Sequence, residues 1–210
     1  MSELIIPYYK PTHSDTTFVF SIEGSNGAGK TTLLNRFKES NIDTECSLCV
    51  PSIFQTAKDM KKFMLFESSA LCSALYYLGG AVEMFYRHDE SYSKVLFDRS
   101  VWSTFAAAYA KDEKILPQLF KCLDVIKDKI LLPNLIIVLD VSFETAKLRS
   151  RKKTTGCEFD KDEKLEFEKK KYFFECLQKS GYQVIFLKTD ELSIDEVYIK
   201  FCEIVKKYII

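Results

Sequence analysis

Phe18-Val19-Phe20-Ser21-Ile22 is a short apolar and aromatic run, followed by Glu23 and then by Gly24-Ser25-Asn26-Gly27-Ala28-Gly29-Lys30-Thr31-Thr32. Such a run, closed by glycines, reads as a buried strand. Leu33, Leu34 and Phe37 behind Lys30 share one face of a helix that extends to about Ser40. The segment 24–31 fills every fixed position of G-x-x-x-x-G-K-[ST], and it does so between a strand and a helix, where that pattern carries a mechanism. Glycines open backbone conformations that turn successive N–H groups inward onto phosphate oxygens. The helix start adds its positive end to the same pocket. Gly24 to Thr32 are therefore the expected cradle for a nucleoside triphosphate. Lys30 is expected on the β- and γ-phosphates, and the Thr31 hydroxyl on Mg²⁺.

Working outward, apolar runs mark further strands at 45–50, 95–97, 135–139 and 184–187. Leu135-Ile136-Ile137-Val138-Leu139 is apolar throughout, as a strand covered on both faces requires. Helical patterning lies between the strands: 53–86 with a break expected near Gly79-Gly80, 101–109, 117–131, 143–152, 161–180 ending at Gly181, and 194–210 begun by Ser193. Strands alternating with helices predict an α/β fold with right-handed crossovers. The expectation is a P-loop NTPase three-layer sandwich, a five-stranded parallel sheet flanked by helices. Residues 17–210 are expected to form that domain, and residues 1–16 an N-terminal extension, loosely ordered.

Composition narrows the partners. Lys plus Arg and Asp plus Glu are equal at 30 each, so no global field recruits nucleic acid or an anionic membrane. No apolar stretch approaches the roughly 18–20 residues of a spanning helix. Residues 1–17 lack the basic and apolar regions of a signal or transit peptide, so a cytoplasmic location is expected. Seven cysteines, an odd number, read as small apolar fillers of a reducing compartment. Cys46 and Cys49 have a metal-pair spacing, but a zinc site needs four ligands, and only His13 and His88 add imidazoles.

Asp98-Arg99-Ser100 follows directly on the strand at 95–97, so its side chains fall at the carboxyl end of the sheet, where ligand crevices of parallel sheets lie. Asp98 is expected to hold Mg²⁺ through water or to take a proton from an attacking hydroxyl. Arg99 is expected to grip an acceptor phosphate or stabilise transferring charge with its bidentate fork. Asp140, at the end of another apolar strand, competes with Asp98 for the metal. Guanine- and switch-reading motifs are missing: Lys188-Thr189-Asp190 lacks the preceding asparagine.

On these residues the chain resembles the thymidylate kinase family and its relatives, the deoxynucleoside kinases. Phe20-Ser21-Ile22-Glu23-Gly24 is similar to that family's opening, and Asp98-Arg99 with Ser103-Thr104 to its second motif. Leu139-Asp140-Val141 with Ala146, Leu148 and Arg149 resembles its fourth strand and the helix to the lid. Glu158-Phe159-Asp160 with Phe167, and Ile194-Asp195-Glu196-Val197, resemble its later segments. The resemblance implies a nucleotide kinase domain over 17–210 with a lid segment around 150–160, ATP as co-substrate with Mg²⁺, a nucleoside monophosphate acceptor near Arg99, Arg149 and Arg151 as lid residues closing over ATP, and a homodimer. The alternatives are a deoxynucleoside kinase acting on a 5′-hydroxyl, with Asp98 or Glu23 as its base, and a catalytically silent nucleotide-binding protein.

The acceptor side departs from the family pattern. Cys49-Val50-Pro51 stands where a thymidylate kinase has Arg-Glu-Pro and a deoxynucleoside kinase Glu-Pro. No arginine occurs between Arg36 and Arg87, and Ala108 replaces a polar base-reader. Phe66 and Trp102 are the candidates to stack on the acceptor base, with Ser103 beside them.

Overall fold

A computed structural model describes residues 4–11, 17–41, 43–51, 58–151 and 161–208. Five strands, β1 (Phe18–Glu23), β2 (Glu45–Leu48), β3 (Lys94–Asp98), β4 (Leu135–Asp140) and β5 (Val184–Lys188), form one sheet in the order β2-β3-β1-β4-β5. All four pairings are parallel. β1 lies at the centre, with Ile22 opposite Asp98 on β3 and Glu23 opposite Val138 on β4. The carboxyl ends of the three central strands therefore lie side by side.

Alternation along these strands divides the core. Val19, Val95, Phe97, Ile136 and Val138 face one cluster; Phe20, Ile22, Leu96, Leu135, Ile137 and Leu139 face the other. The first cluster is closed by α3 (Ala70–Arg87), α4 (Val101–Lys111), α5 (Leu116–Ile126) and α7 (Lys161–Lys179). The second is closed by α1 (Lys30–Ser40), α6 (Phe143–Arg151) and α8 (Ile194–Tyr208). A short α2 (Lys58–Lys62) and a π turn, Phe63–Glu67, precede α3. Apolar packing on both faces is what lets the central strands be apolar at nearly every position.

The five strands and their parallel order match the sequence expectation. Ser193 and Glu196 form the reciprocal cap that starts α8: the Glu196 N–H donates to Ser193 Oγ at 3.3 Å, and the Ser193 N–H to a Glu196 carboxylate oxygen at 2.8 Å. Gly181 at φ 94 closes the turn after α7.

Two local expectations are corrected. No break occurs at Gly79-Gly80. α3 runs through both glycines, because its Ala74, Leu78, Ala81 and Met84 are buried in the core and outweigh a propensity loss of about 1 kcal/mol per glycine. The interruption falls earlier, at Ser68-Ser69, where Ser69 Oγ caps α3 by accepting from the Cys72 N–H at 3.2 Å. The expected helix 117–131 likewise ends at Ile126 and gives way to a 3₁₀ turn, Lys127–Lys129.

Of the expected N-terminal extension, residues 4–11 are strapped to the core, and 1–3 and 12–16 lie outside the described residues. Ile6 and Tyr9 are buried in the first cluster. The Tyr182 hydroxyl accepts from the Tyr9 N–H at 2.6 Å and donates to the Pro7 carbonyl at 2.8 Å. Tyr9 Oη in turn donates to the Phe120 carbonyl at 3.3 Å. Among the described residues no helix is long and apolar enough to cross a membrane.

Candidate active site

The loop between β1 and α1 takes its shape from three glycines in the left-handed region, Gly24 at φ 132, Gly27 at φ 82 and Gly29 at φ 101. Side chains are also excluded by space: a Cβ on Gly24 would lie 2.8 Å from the Leu139 carbonyl oxygen. The Lys30 ammonium, largely buried, arches over the loop and donates to the Gly24 and Ser25 carbonyls at 3.1 and 2.7 Å. Lys30 thus lies at the loop opening, as its position in the motif predicts, with Thr31 and Thr32 exposed behind it on the first turn of α1.

Arg99 is the one non-glycine residue with positive φ, 71°, among the described residues. That conformation costs about 1–2 kcal/mol for a side-chain-bearing residue, so the surroundings must hold it. The Arg99 N–H donates to the Ile22 carbonyl at 3.0 Å, extending the β1–β3 ladder by one step. Ser100 then caps α4, its hydroxyl accepting from the Trp102 N–H at 3.2 Å. The Arg99 guanidinium donates to the Gly24 carbonyl at 3.2 Å, to Asn26 Oδ1 at 3.1 Å and to Ser103 Oγ at 3.4 Å. The two motifs, 75 residues apart, are thus bonded to each other.

Beneath them lies Glu23, fully buried at 0% exposure. Its Oε1 accepts from both the Ser100 N–H and the Ser100 hydroxyl at 2.6 Å, and its Oε2 accepts a short bond from the Ser103 hydroxyl. Burial raises the carboxyl above its ordinary range, and the bonds from Ser100 and Ser103 and the charge of Arg99 only partly oppose this. The sequence offers Glu23 as part of the opening motif and, beside Asp98, as a base for a 5′-hydroxyl; burial leaves it no access to such an acceptor. Its signal was a carboxylate as the last residue of a buried strand, which demands donors.

Asp98 ends β3 with its Oδ1 buried and without a hydrogen-bond partner among the described residues. An orphaned carboxylate oxygen at the carboxyl end of the sheet fits a hydrated divalent cation, and Thr31 supplies the hydroxyl such a site uses. Asp140 is differently placed: Lys171 from α7 pairs with its Oδ1 at 2.6 Å, so its charge is already matched.

The acceptor candidates separate. Trp102 has 0% exposure and packs among Tyr9, Phe105 and Tyr182, with centroids 6.4, 5.5 and 4.9 Å away. It belongs to the core and has no face left for a base, which corrects the expectation. The cause is the N-terminal strap, which covers it. Phe66 is 76% exposed on the π turn. Ser103 faces Glu23 and Arg99 as described. Tyr77 on α3, which no local signal sets apart in the sequence, is half-buried beside Tyr76, with ring centroids 5.3 Å apart. Burial raises its hydroxyl above the ordinary range, with the nearby Arg99 charge opposing. Cys49 fills the position before Val50-Pro51: burial pushes its thiol up to about 12, the neighbouring Glu23 adding, so it remains neutral.

Arg149 donates to the Thr189 carbonyl at 3.1 Å, which ties the end of α6 to the turn after β5. Arg151 is the last residue of α6, and the lid segment 152–160 lies outside the described residues.

A parallel sheet in this order, a glycine cradle with a lysine over it, and an arginine bonded to that cradle define a P-loop phosphotransferase of the nucleotide kinase class. Residues 22–198 match the thymidylate kinase family, and the chain belongs to it. No curated protein matches the chain. Among solved structures, a thymidylate kinase from Candida albicans superposes with a TM-score of 0.66 at 18% identity over 91% of this chain and 92% of that one. A deoxyadenosine kinase from M. mycoides, solved with bound dCTP, gives 0.66 at 17% identity over 90% of this chain and 100% of its own. A thymidylate kinase from Ehrlichia chaffeensis gives 0.64 at 16% identity over 90% and 98%. At these identities the superpositions establish the shared fold. The chain is a nucleotide or nucleoside kinase of the thymidylate kinase type.

Proposed function

We propose that this kinase transfers the γ-phosphoryl group of ATP to a nucleoside monophosphate held at Arg99. The observation that carries the reading is the bonding of the Arg99 guanidinium to Gly24 and Asn26, which keeps a bidentate cation at the edge of the phosphate cradle. A phosphate acceptor there would meet both that fork and the incoming γ-phosphate. Its nucleophile, a phosphate oxygen, is already ionised at neutral pH and needs no general base. That suits a site in which Val50 stands beside Pro51 where a glutamate would be, with the buried, neutral Cys49 before it. Catalysis would come from alignment and charge neutralisation.

Lys30 would bind the β- and γ-phosphates. Thr31, and Asp98 through water, would hold Mg²⁺, which supplies charge neutralisation at the transferring group. Arg151 and the lid are proposed to close over ATP and exclude water. Arg149 of α6, anchored on the Thr189 carbonyl in the β5–α8 turn, is proposed to support them. We extend the reading to a cytoplasmic homodimer without nucleic-acid partners. Its supports are the balanced charge and the apolar surface of Phe63, Phe66 and Leu75, exposed on the π turn and α3.

One observation favours a second reading. The unpaired Asp98 Oδ1 is a candidate base for a nucleoside 5′-hydroxyl. A panel of nucleosides and nucleoside monophosphates with Mg²⁺–ATP separates the two: product from monophosphates supports the first reading, and product from nucleosides alone overturns it. Tight ATP binding with no transfer to any acceptor would leave a catalytically silent binding protein.

A further inference from the structure

We propose that Glu23 is a positioning residue of this enzyme, its buried carboxylate clasping Ser100 and Ser103 so that Arg99 is held over the phosphate cradle in the orientation that meets the acceptor phosphate. The inference rests on the reading of Arg99 given above and deepens it.

Among the described residues the carboxylate's three hydrogen bonds come from the turn that carries Arg99 and the first turn of α4: the Ser100 N–H, the Ser100 hydroxyl and the Ser103 hydroxyl. The fourth member of the chain is Arg99 itself, whose Nη1 donates to Ser103 Oγ while that hydroxyl donates to Glu23. Donation thus runs in one direction, guanidinium to hydroxyl to carboxylate, and bonds polarised head to tail strengthen one another. With no exposure, Glu23 reaches neither acceptor nor ATP and cannot act as their base.

Its action is mechanical. Arg99 occupies the left-handed region at φ 71, a conformation that relaxes unless its neighbours fix it. Its own N–H is bonded to the Ile22 carbonyl, and the next residue, Ser100, is bonded twice to Glu23. Glu23 is also the residue preceding Gly24, whose carbonyl receives the guanidinium. One side chain therefore sets the spacing between the cradle and the arginine that faces it. A glutamine at this position keeps the volume but turns one acceptor oxygen into an N–H₂ donor facing groups that are themselves donating.

The test compares Glu23→Gln, Ser103→Ala and Ser103→Thr by steady-state kinetics with the best acceptor of the panel, together with titration of Mg²⁺–ATP and amide exchange at Ser100. The expected result is turnover lowered about thirtyfold or more by Glu23→Gln and about tenfold by Ser103→Ala, with affinity for Mg²⁺–ATP within about threefold of the parent. Ser103→Thr keeps the hydroxyl and should recover turnover to within about threefold, and the double variant Glu23→Gln/Ser103→Ala should be no slower than Glu23→Gln alone. The proposal is overturned if Ser103→Ala turns over at the parental rate, if ATP affinity falls in proportion to turnover, or if Ser103→Thr fails to rescue. Amide exchange separates this from the functional reading. If the parent phosphorylates nothing in the panel, that reading fails, while faster Ser100 exchange in Glu23→Gln still supports the clasp and unchanged exchange removes it.

Discussion

A Cβ built on Gly27 would stand 2.2 Å from the Ala146 carbonyl oxygen and 2.8 Å from Ser150 Oγ. The phosphate loop and α6, the helix that leads to the lid, are therefore in backbone contact, with no room for a methyl group between them. Gly27 also lies at φ 82. Gly29, at φ 101, has nothing within 4 Å of the same construction. Gly27→Ala should accordingly be worse than Gly29→Ala, which incurs only the backbone penalty of about 1–2 kcal/mol. Thermal melts and Mg²⁺–ATP titration check this: Gly27→Ala should lose at least about tenfold in affinity as the loop shifts off α6. Equal effects of the two changes would show that the contact is not limiting.

Lys30→Ala removes the ammonium that arches over the Gly24 and Ser25 carbonyls. Turnover should fall by about 10²–10³ or more, the scale of losing one preorganised charge-stabilising donor. Circular dichroism should remain that of the parent. Near-parental turnover would refute Lys30 as the phosphate-binding cation.

Tyr182→Phe deletes a hydroxyl that is both acceptor for the Tyr9 N–H and donor to the Pro7 carbonyl. Orphaning a buried backbone group costs about 1–3 kcal/mol, and denaturant unfolding should show a loss of that size. Turnover of the folded variant should be unchanged, since the lost hydroxyl is bonded to Tyr9 and Pro7 and the ring that packs on Trp102 is kept. A loss well below this range would mean that water reaches the strap.

The pH dependence of stability follows from Glu23. Its folded value is raised above the ordinary 4.5 by burial. The folded state thus favours the protonated form, and the stabilising contribution is fully present below the unfolded value and lost as pH rises through the folded one. With Glu23→Gln as a neutral reference, the parent's advantage in unfolding free energy should shrink as pH is raised from about 4.5 upward. A difference that grew with pH instead would mean that the bonds from Ser100, Ser103 and Arg99 outweigh the burial.

The sequence by itself determined the parts that local chemistry governs. The five apolar runs, the glycine pattern before Lys30, the Ser193 cap and the placement of Asp98-Arg99 at a strand end all follow from neighbours within a few residues, and all stand in the structure. Tertiary structure alone decided what depends on residues far apart in the chain. Gly79-Gly80 reads as a break because propensity is local, yet a buried face carries the helix through. Trp102 reads as available until residues 4–11 and Tyr182 cover it. Asp140 reads as a metal carboxylate until Lys171 arrives from α7. Glu23 reads as an available base until burial closes it off and Ser100 and Ser103 reach it across 77 and 80 residues. Periodicity reports which face of an element is apolar, but not which distant group will meet a buried charge, and the acceptor side of this enzyme is built almost wholly from such meetings.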